Sequence, residues 1–492
     1  MKRAKVVLVV PSRVDSSSKI PRWFRIVIAH FTPLGMAYLG AALLKSGIDV
    51  VILDQLAEEL DNEGLTRRVA SERPDLIGIT AITPSMPNVQ ALVALFRQAC
   101  PGAKVVLGNL HASIFADDLL QSGLADIIVH GEGEVTLVEV AEAVRDGASL
   151  DGVLGTSFRA PDGSIVHNPP RPPADLDSLA FPRWDLVNLD APAYRNMAMF
   201  GVYGRQASIQ ASRGCPHKCI FCSHDKIVVK PRYRSVESLV DEIEVDMLEY
   251  GIHKFSFYDA YFPWSKGVAH RFCDEVRRRG LHKSLWFMNE MRVDAVDDDM
   301  IRDLKDVGLR STCLGFESGN QQVLDSVRKG TTLEQGENAA RIFKKHGVRL
   351  YGLFMLGFPG ETEAQCRETI DYALKIDPDF MHLALVMPYP GSQLFEQVRD
   401  QTHWKDFDKF SSWNYWNNAS EGLVYTPEGM TDRQLLRVQQ EGMFRFYMQP
   451  KVILRTLARR DQLRLHHMAV GGLAIIEHYL RGRLGGGPGR AG

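Results

Sequence analysis

Three cysteines fall within eight residues, in the run Ser212-Arg-Gly-Cys215-Pro-His-Lys-Cys219-Ile-Phe-Cys222. Disulfide geometry does not favour pairing among thiols packed this closely, and in a soluble intracellular protein such a cluster points to a metal site. Thiolates are the soft ligands that iron–sulfur clusters require. Three of them on a four-iron cluster leave one iron open to a substrate or cofactor. A structural zinc site would ask for a fourth Cys or His, and His217 and His224 are near enough to keep that reading open. The other four cysteines, Cys100, Cys273, Cys313 and Cys366, lie in predicted helices or strands without metal spacing, where buried free thiols are common.

The rest of the composition narrows the class of protein. At 492 residues the chain is too long for one ordinary core, so two or three domains are expected. A formal net charge of −2 gives no reason to expect a nucleic-acid partner. The opening MKRAKVVLVVPSR has a basic tip, but its apolar run is too short for a secretory signal and reads as a buried strand. No apolar run approaches the ~20 residues of a membrane span. The cytoplasm is the expected address.

The elements that must position the cysteines form two alternating series. In residues 1–150 the apolar runs 6–10, 50–54, 76–80, 105–108 and 127–130 alternate with helical patterns such as 35–46 and 87–99. Continuous apolar strands separated by helices imply a doubly wound parallel sheet covered on both faces. Ligands of such sheets sit at the carboxyl ends of the strands, where Thr80 and the turns 108–111 and 131–134 fall. Residues 151–204 read as a linker, because Pro161-Asp-Gly163 marks a turn between two short extended runs and Asn168-Pro-Pro-Arg-Pro-Pro173 cannot be a helix interior. In 205–400 a second series of strands is expected at 207–211, 254–258, 285–289, 312–315, 350–355 and 381–386, with helices such as 235–250 and 362–374. Six such βα units suit a partial barrel. Residues 401–492 read as a helical region with an aromatic cluster (Trp413, Tyr415, Trp416) and a glycine-rich disordered tail from 485.

The cysteine motif on the first strand–helix loop of such a barrel resembles the radical S-adenosylmethionine (SAM) superfamily over about residues 205–400. The resemblance implies a [4Fe–4S] cluster on Cys215, Cys219 and Cys222, with SAM chelating the fourth iron and yielding a 5′-deoxyadenosyl radical on reductive cleavage. An electron donor such as flavodoxin or ferredoxin is then expected. It also places Asp259, in Phe257-Tyr-Asp-Ala-Tyr-Phe262, near the methionine amino group of SAM. Glu317 and Ser318, in Gly315-Phe-Glu-Ser-Gly319, fall near its ribose and carboxylate. Gly357-Phe-Pro-Gly-Glu361 and Pro388-Tyr-Pro-Gly-Ser392 end the fifth strand and follow the sixth. Arg292 could pair with the SAM carboxylate as guanidinium forks do. Each has an alternative reading: turn glycines, helix caps and a surface ion pair.

The front domain is similar to the cobalamin-binding domain that precedes the barrel in one radical SAM branch. The similarity rests on Thr32-Pro-Leu-Gly35, Asp75-Leu-Ile-Gly-Ile-Thr80, Gly108-Asn-Leu-His-Ala-Ser113 and His130-Gly-Glu-Gly-Glu134. It implies corrin contacts at Thr32, Thr80, Gly108, His111, Gly131 and Glu132; glycines there let backbone approach a bulky ring. Asn109 stands where many relatives have glycine. Asp54-Gln-Leu56-Ala-Glu-Glu59 aligns with the Asp-x-His-x-x-Gly run of methyltransferases and mutases and has leucine in the histidine position, so cobalt would lack that lower ligand. His111 is the replacement to consider, against the commoner role of a structural turn histidine.

The stretches Met443-Phe-Arg-Phe-Tyr-Met-Gln-Pro450 and Val452-Ile-Leu-Arg-Thr-Leu457 resemble the tail of that branch, which includes the anaerobic magnesium-protoporphyrin monomethyl ester cyclase family. They suit an amphipathic helix across the barrel mouth. Lys451, Arg455, Arg459, Arg460 and Arg464 could instead meet anionic lipid as a peripheral membrane contact, or face solvent. The resemblance implies methyl transfer to an unactivated carbon of a small-molecule substrate. The alternatives are a tetrapyrrole-type oxidative cyclase or rearrangement, and a corrinoid-free redox-responsive binding protein.

Overall fold

The computed structural model describes residues 4–12, 30–197, 202–223, 230–405, 407–410, 422–458, 471–473, 475–477 and 479–480. Most of the described residues up to 193 cluster as one compact unit, and 30–31, 194–222 and those beyond 230 as another. His224, Trp413, Tyr415, Trp416, Arg459, Arg460, Arg464 and the tail from 485 lie outside the described residues.

In the first unit, strands β1 (Lys5–Val10), β2 (Asp49–Asp54), β3 (Leu76–Thr80), β4 (Lys104–Gly108) and β5 (Ile127–Val129) are parallel in the order β2-β1-β3-β4-β5. Their apolar runs are buried on both faces, with helices α1 (Leu34–Lys45), α2 (Asn62–Ser71), α3 (Met86–Ala99) and α4 (Leu110–Ile114) between them. The order reverses between β1 and β3, the point where a doubly wound sheet opens a crevice.

Residues 151–193 are not a linker. Two strands, β6 (Thr156–Arg159) and β7 (Ile165–His167), join the sheet antiparallel beyond β5, with Phe158 opposite Ile127. Asp162 fixes the turn between them by accepting the Ser164 amide at 2.9 Å. This hairpin covers an edge that β5 would otherwise expose. Further on, Trp184 is buried, and a Cβ on Gly40 of α1 would meet the Leu186 side chain at 2.5 Å. The proline-rich run is irregular as expected, but it lies within a packed unit.

In the second unit six parallel strands follow in chain order: β8 (Ala207–Ile209), β9 (Lys254–Phe257), β10 (Trp286–Met291), β11 (Leu309–Glu317), β12 (Arg349–Leu356) and β13 (Phe380–Leu385). β8 and β13 do not pair, so this is the expected partial barrel. Helices α5 (Val236–Tyr250), α6 (Lys266–Arg278), α7 (Asp298–Val307), α8 (Leu333–His346) and α9 (Glu363–Ile376) connect the strands, each entered through a Ser, Thr or Asp side chain that caps a backbone amide.

The C-terminal helices α10 (Asp432–Tyr447) and α11 (Pro450–Ala458) attach to the open edge strand β13. The Tyr447 hydroxyl accepts from the Met381 amide at 3.1 Å and donates to its carbonyl at 2.7 Å, and Gln439 donates to the Leu383 carbonyl at 2.8 Å. Side chains thus satisfy strand groups that have no seventh strand to pair with. Gly442 permits the close approach: a Cβ there would lie 2.7 Å from Leu383. Of the basic residues expected to face lipid or solvent, Lys451 is exposed and Arg455 half-buried, and both pair with Asp377, each at 3.3 Å. Among the described residues no helix is long and apolar enough to cross a membrane.

Candidate active site

The thiol loop is held from both sides. Just after β8, Ser212–Arg213 pairs antiparallel with Arg232–Tyr233. The Asp259 carboxylate, beyond the end of β9, accepts the Ala211 amide at 3.1 Å, the Ser212 amide at 2.5 Å and the Ser212 hydroxyl at 2.6 Å. Burial pushes its carboxyl up to about 7, against the pull of these donors. Asp259, expected on the SAM amino group, therefore fixes the entry of the cysteine loop. Ile220 anchors the loop's other half in an apolar cluster with Phe358, Val386 and Leu394. Its amide donates to Val327 at 3.1 Å and its carbonyl accepts from Leu394 at 2.8 Å.

Cys215 and Cys219 are half-buried and Cys222 is exposed. Burial raises the Cys215 thiol, while Arg292 and Lys329 favour its thiolate. Arg292 is buried, 4.0 Å from the Cys219 sulfur, and held by Asp294 at 3.0 Å and the Lys329 carbonyl at 2.8 Å. No three His, Cys, Asp or Glu side chains among the described residues converge on one metal ion, as a mononuclear zinc site with ligand bonds of about 2.0–2.3 Å demands. Three thiolates are the soft ligand set that an iron–sulfur cluster takes.

At the end of β11 the strand bulges between Gly315 and Glu317, and Glu317 takes φ = 64°, the left-handed region that non-glycine residues avoid. The bend aims its carboxylate at the Lys329 ammonium, 2.7 Å away, with both side chains buried. A Cβ on Gly315 would lie 2.4 Å from the Glu317 carboxylate and 2.9 Å from the Lys329 nitrogen, so a side chain there would displace the pair. Ser318, expected to face SAM, is buried; its hydroxyl bonds Thr369 at 3.1 Å and accepts the Asn320 amide at 3.2 Å, which shapes the turn. Glu361, in the loop after β12, caps the Gly357 and Phe358 amides at 2.6 and 2.9 Å. Lys329 and Ile220 escaped the sequence reading, since an ordinary lysine and isoleucine carry no chemical signature.

In the first unit the β-ladder aligns Thr80 with Gly108 and Gly108 with Val129, two residues before Gly131. Asn109, at φ = 81°, donates to the Thr80 hydroxyl at 2.9 Å and caps Leu110 at 2.7 Å. Thr80, Gly108, Asn109, Gly131 and Glu132 remain accessible, and a Cβ on Gly131 would meet only open space. Thr32 and His111 are buried instead. The His111 Nδ1 lies 3.1 Å from the Thr83 hydroxyl, its ring packs 4.6 Å from that of Phe115, and burial lowers it to about 4. A neutral network also went unread. Gln55 accepts the Ser12 amide at 2.9 Å and the Asn88 side-chain amide at 2.8 Å, and donates to Asn62 at 2.7 Å. It pins the loop after β1 at the strand-order switch.

Residues 28–141 match the model of the B12 binding domain, and 209–373 match that of the radical SAM superfamily. An uncharacterised methyltransferase of Pyrococcus horikoshii is 30% identical over 93% of this chain and 95% of its own. The anaerobic magnesium-protoporphyrin IX monomethyl ester cyclase of Rubrivivax gelatinosus is also 30% identical, over 90% of this chain and 78% of its own. This chain belongs to the cobalamin-binding radical SAM family. Among solved structures, the radical SAM methyltransferase TsrM from Kitasatospora setae, with cobalamin and a [4Fe–4S] cluster bound, shares the fold at TM-score 0.66 and 21% identity, over 81% of this chain and 75% of that one.

The family's cofactors are a [4Fe–4S] cluster, SAM and cobalamin, and the residues present fit each of them. For the cluster there are three thiols on a clamped loop beside two cationic side chains. The buried Glu317–Lys329 pair presents both signs of charge, as the amino and carboxylate groups of SAM require. For a corrin, the accessible Thr80, Gly108, Asn109 and Gly131 form a ledge of neutral groups with Glu132 beside it and open space next to Gly131.

Proposed function

We propose that this enzyme transfers a methyl group to an unactivated carbon of a small molecule. The observation that carries the reading is the Cys215–Cys222 loop, fixed by Asp259 and Ile220 at the carboxyl end of an open parallel barrel. The likeness to a methyltransferase along nearly the whole of both chains supports methyl transfer in particular.

When bound, the cofactors supply a 5′-deoxyadenosyl radical that takes a substrate hydrogen and a corrin-held methyl group that replaces it. The chain's residues do the positioning. Asp259 and Ile220 hold the thiol loop, Arg292 keeps a cation against Cys219, and Glu317 with Lys329 offers a charged seat for an amino-acid group. A one-electron donor such as flavodoxin or ferredoxin completes the reaction, and the thiol ligands suit the reducing cytoplasm. The Asp377 pairs of Lys451 and Arg455 favour packing on the barrel over lipid for α11.

The likeness to the cyclase keeps oxidative cyclisation as the second reading. Product analysis with methyl-labelled SAM decides between them. Methyl transfer that recharges cobalt from SAM yields 5′-deoxyadenosine and S-adenosylhomocysteine in equal amounts with product. Product with 5′-deoxyadenosine alone, over many turnovers, would establish the cyclase.

A further inference from the structure

Along β10, Trp286, Met288 and Glu290 point to one face, and along β13 so do Phe380 and His382. That face is the barrel interior, because Met288, Cys313 and Tyr351 form an apolar cluster there with Phe31, Trp286, Leu353 and Phe380 packed against it. The ladder sets Glu290 beside Cys313, and His382 beside Leu353, which is itself beside Gly315. Glu290 and His382 thus stand as the acid and the imidazole on this stretch of inner wall, which also carries the small hydroxyls of Ser208, Ser256 and Ser311, next to a position with no side chain.

Both are accessible to solvent, yet both behave as buried groups. Desolvation pushes the Glu290 carboxyl up to about 7 and lowers the His382 imidazole. With the inward register of their strands, this places both groups on the solvent-accessible inner face of the barrel. Neither side chain makes a hydrogen bond or ion pair with any described residue. The neighbouring charges are already engaged: Lys329 with Glu317, Arg292 with Asp294, and Asp259 with backbone amides. Among the described residues Glu290 is therefore the interior acid with no cation bonded to it, on an inner face of the kind small molecules occupy.

We propose that Glu290 and His382 are the substrate-recognition pair of the barrel, and that the substrate carries an amine above an apolar body. The amine sits on Glu290, His382 hydrogen-bonds its polar flank, and the body lies against Trp286, Leu353 and Phe380, the partly exposed apolar side chains of that face. The inference rests on the reading of the barrel as a catalytic SAM site and adds the substrate class.

The test is anaerobic titration of the full chain, cluster reconstituted, with phenethylamine, with 3-phenylpropionate as the oppositely charged match, and separately with SAM. Phenethylamine should bind at least about tenfold more tightly than the acid, the effect of one charge-assisted bond. Glu290→Gln should erase that preference, and His382→Phe should weaken the amine about fivefold. Leu353→Trp, which keeps both polar groups but fills the space beside them, should abolish amine binding. SAM binding should survive all three substitutions. Equal binding of the two probes overturns the proposal, as does tighter binding of the acid or joint loss of SAM and amine in Glu290→Gln. If the wild type prefers the amine but binds no SAM, the catalytic reading falls and the pocket stands.

Discussion

The two units both end parallel strands in clusters of polar residues, but they use different chemistry there. The barrel end is built from buried charges: Asp259, Arg292, Glu317, Lys329 and Glu361. The front sheet uses mainly neutral hydroxyls and amides, Ser12, Gln55, Asn88, Thr80 and Asn109, and one buried carboxylate, Asp54, which caps the Leu56 and Ala57 amides at 3.1 Å. Buried charge is expensive unless paired or hydrogen-bonded, so a site that keeps five such groups has a use for their fields. A neutral ledge suits a large ring that must be seated without strong local charge. The difference teaches that strand carboxyl ends supply location only, and the side chains decide what is held there.

The strongest way to break the comparison is at the thiols. Cys219→Ala should reduce bound iron and sulfide, and SAM cleavage, to background, while Cys100→Ala, in the front unit, should leave all three unchanged. Metal and acid-labile sulfide analysis after anaerobic reconstitution reads this. A retained cluster in Cys219→Ala would remove the barrel's claim to the chemistry.

Next come the polar networks themselves. Lys329→Met strands Glu317 as an unpaired buried acid and should cost about 3–5 kcal/mol in urea unfolding. Adding Glu317→Leu should restore most of that loss, because removing both partners leaves no orphan. In the front unit Gln55→Leu leaves the Ser12 amide and Asn88 without their acceptor and should cost less, about 1–3 kcal/mol. If the two losses are equal, the contrast between charged and neutral ends has no energetic content.

A smaller effect should appear in the pH dependence. Burial raises the Glu361 carboxyl to about 7 from 4.5. Between those values the native chain holds a proton that the unfolded chain has released. Glu361 therefore lowers stability as pH rises from about 4.5 to about 7, with no further change above. Glu361→Gln removes that slope, so the difference in stability between wild type and variant should shift by at most about 3 kcal/mol between pH ~4.5 and ~8. Urea unfolding of both proteins across that range checks it, and parallel curves would show that Glu361 titrates normally.

Much of the architecture was legible. Continuous apolar runs with a strand's length, separated by capped helical patterns, placed all eleven parallel strands within a few residues. The turn at 161–163 and its two short extended runs were legible, but their place in the front sheet was not, because proline-rich flanks dominate a stretch whose strands are only four and three residues long. At the site, the cysteines were legible because thiol spacing has few other meanings. Asp259 and Ser318 were read as ligand contacts because a polar group at a strand end looks the same whether it faces a cofactor or its own loop. Only the fold shows that backbone amides and Thr369 already occupy them. Gln55, Lys329, Glu290 and His382 left no trace, since their roles depend on partners far away in sequence or on the lack of any.

The smallest expected effect concerns His111 and is the finest test of the neutral ledge. Leu56 stands where a coordinating histidine would be, so His111 is the imidazole to consider for cobalt. Its low basicity does not decide the matter, because metals take the neutral ring. Packing does. The ring is almost fully buried, its Nδ1 meets the Thr83 hydroxyl at 3.1 Å, and Phe115 lies against it. With Nδ1 held by Thr83, Nε2 is the nitrogen left for a metal, and a ring almost fully buried gives it little room to meet one. Its lowered pKa has a separate consequence: the stability it contributes is present above about 6.5 and fades as pH falls toward about 4, where the native ring must finally charge. His111→Ala should therefore cost about 1–3 kcal/mol at neutral pH and leave the cobalt unaltered. Electron paramagnetic resonance of the cob(II)alamin-loaded protein should show no nitrogen hyperfine splitting from the lower face, before or after the substitution. A triplet splitting in the wild type that vanishes in His111→Ala would make the histidine a ligand and the ledge more than a neutral seat.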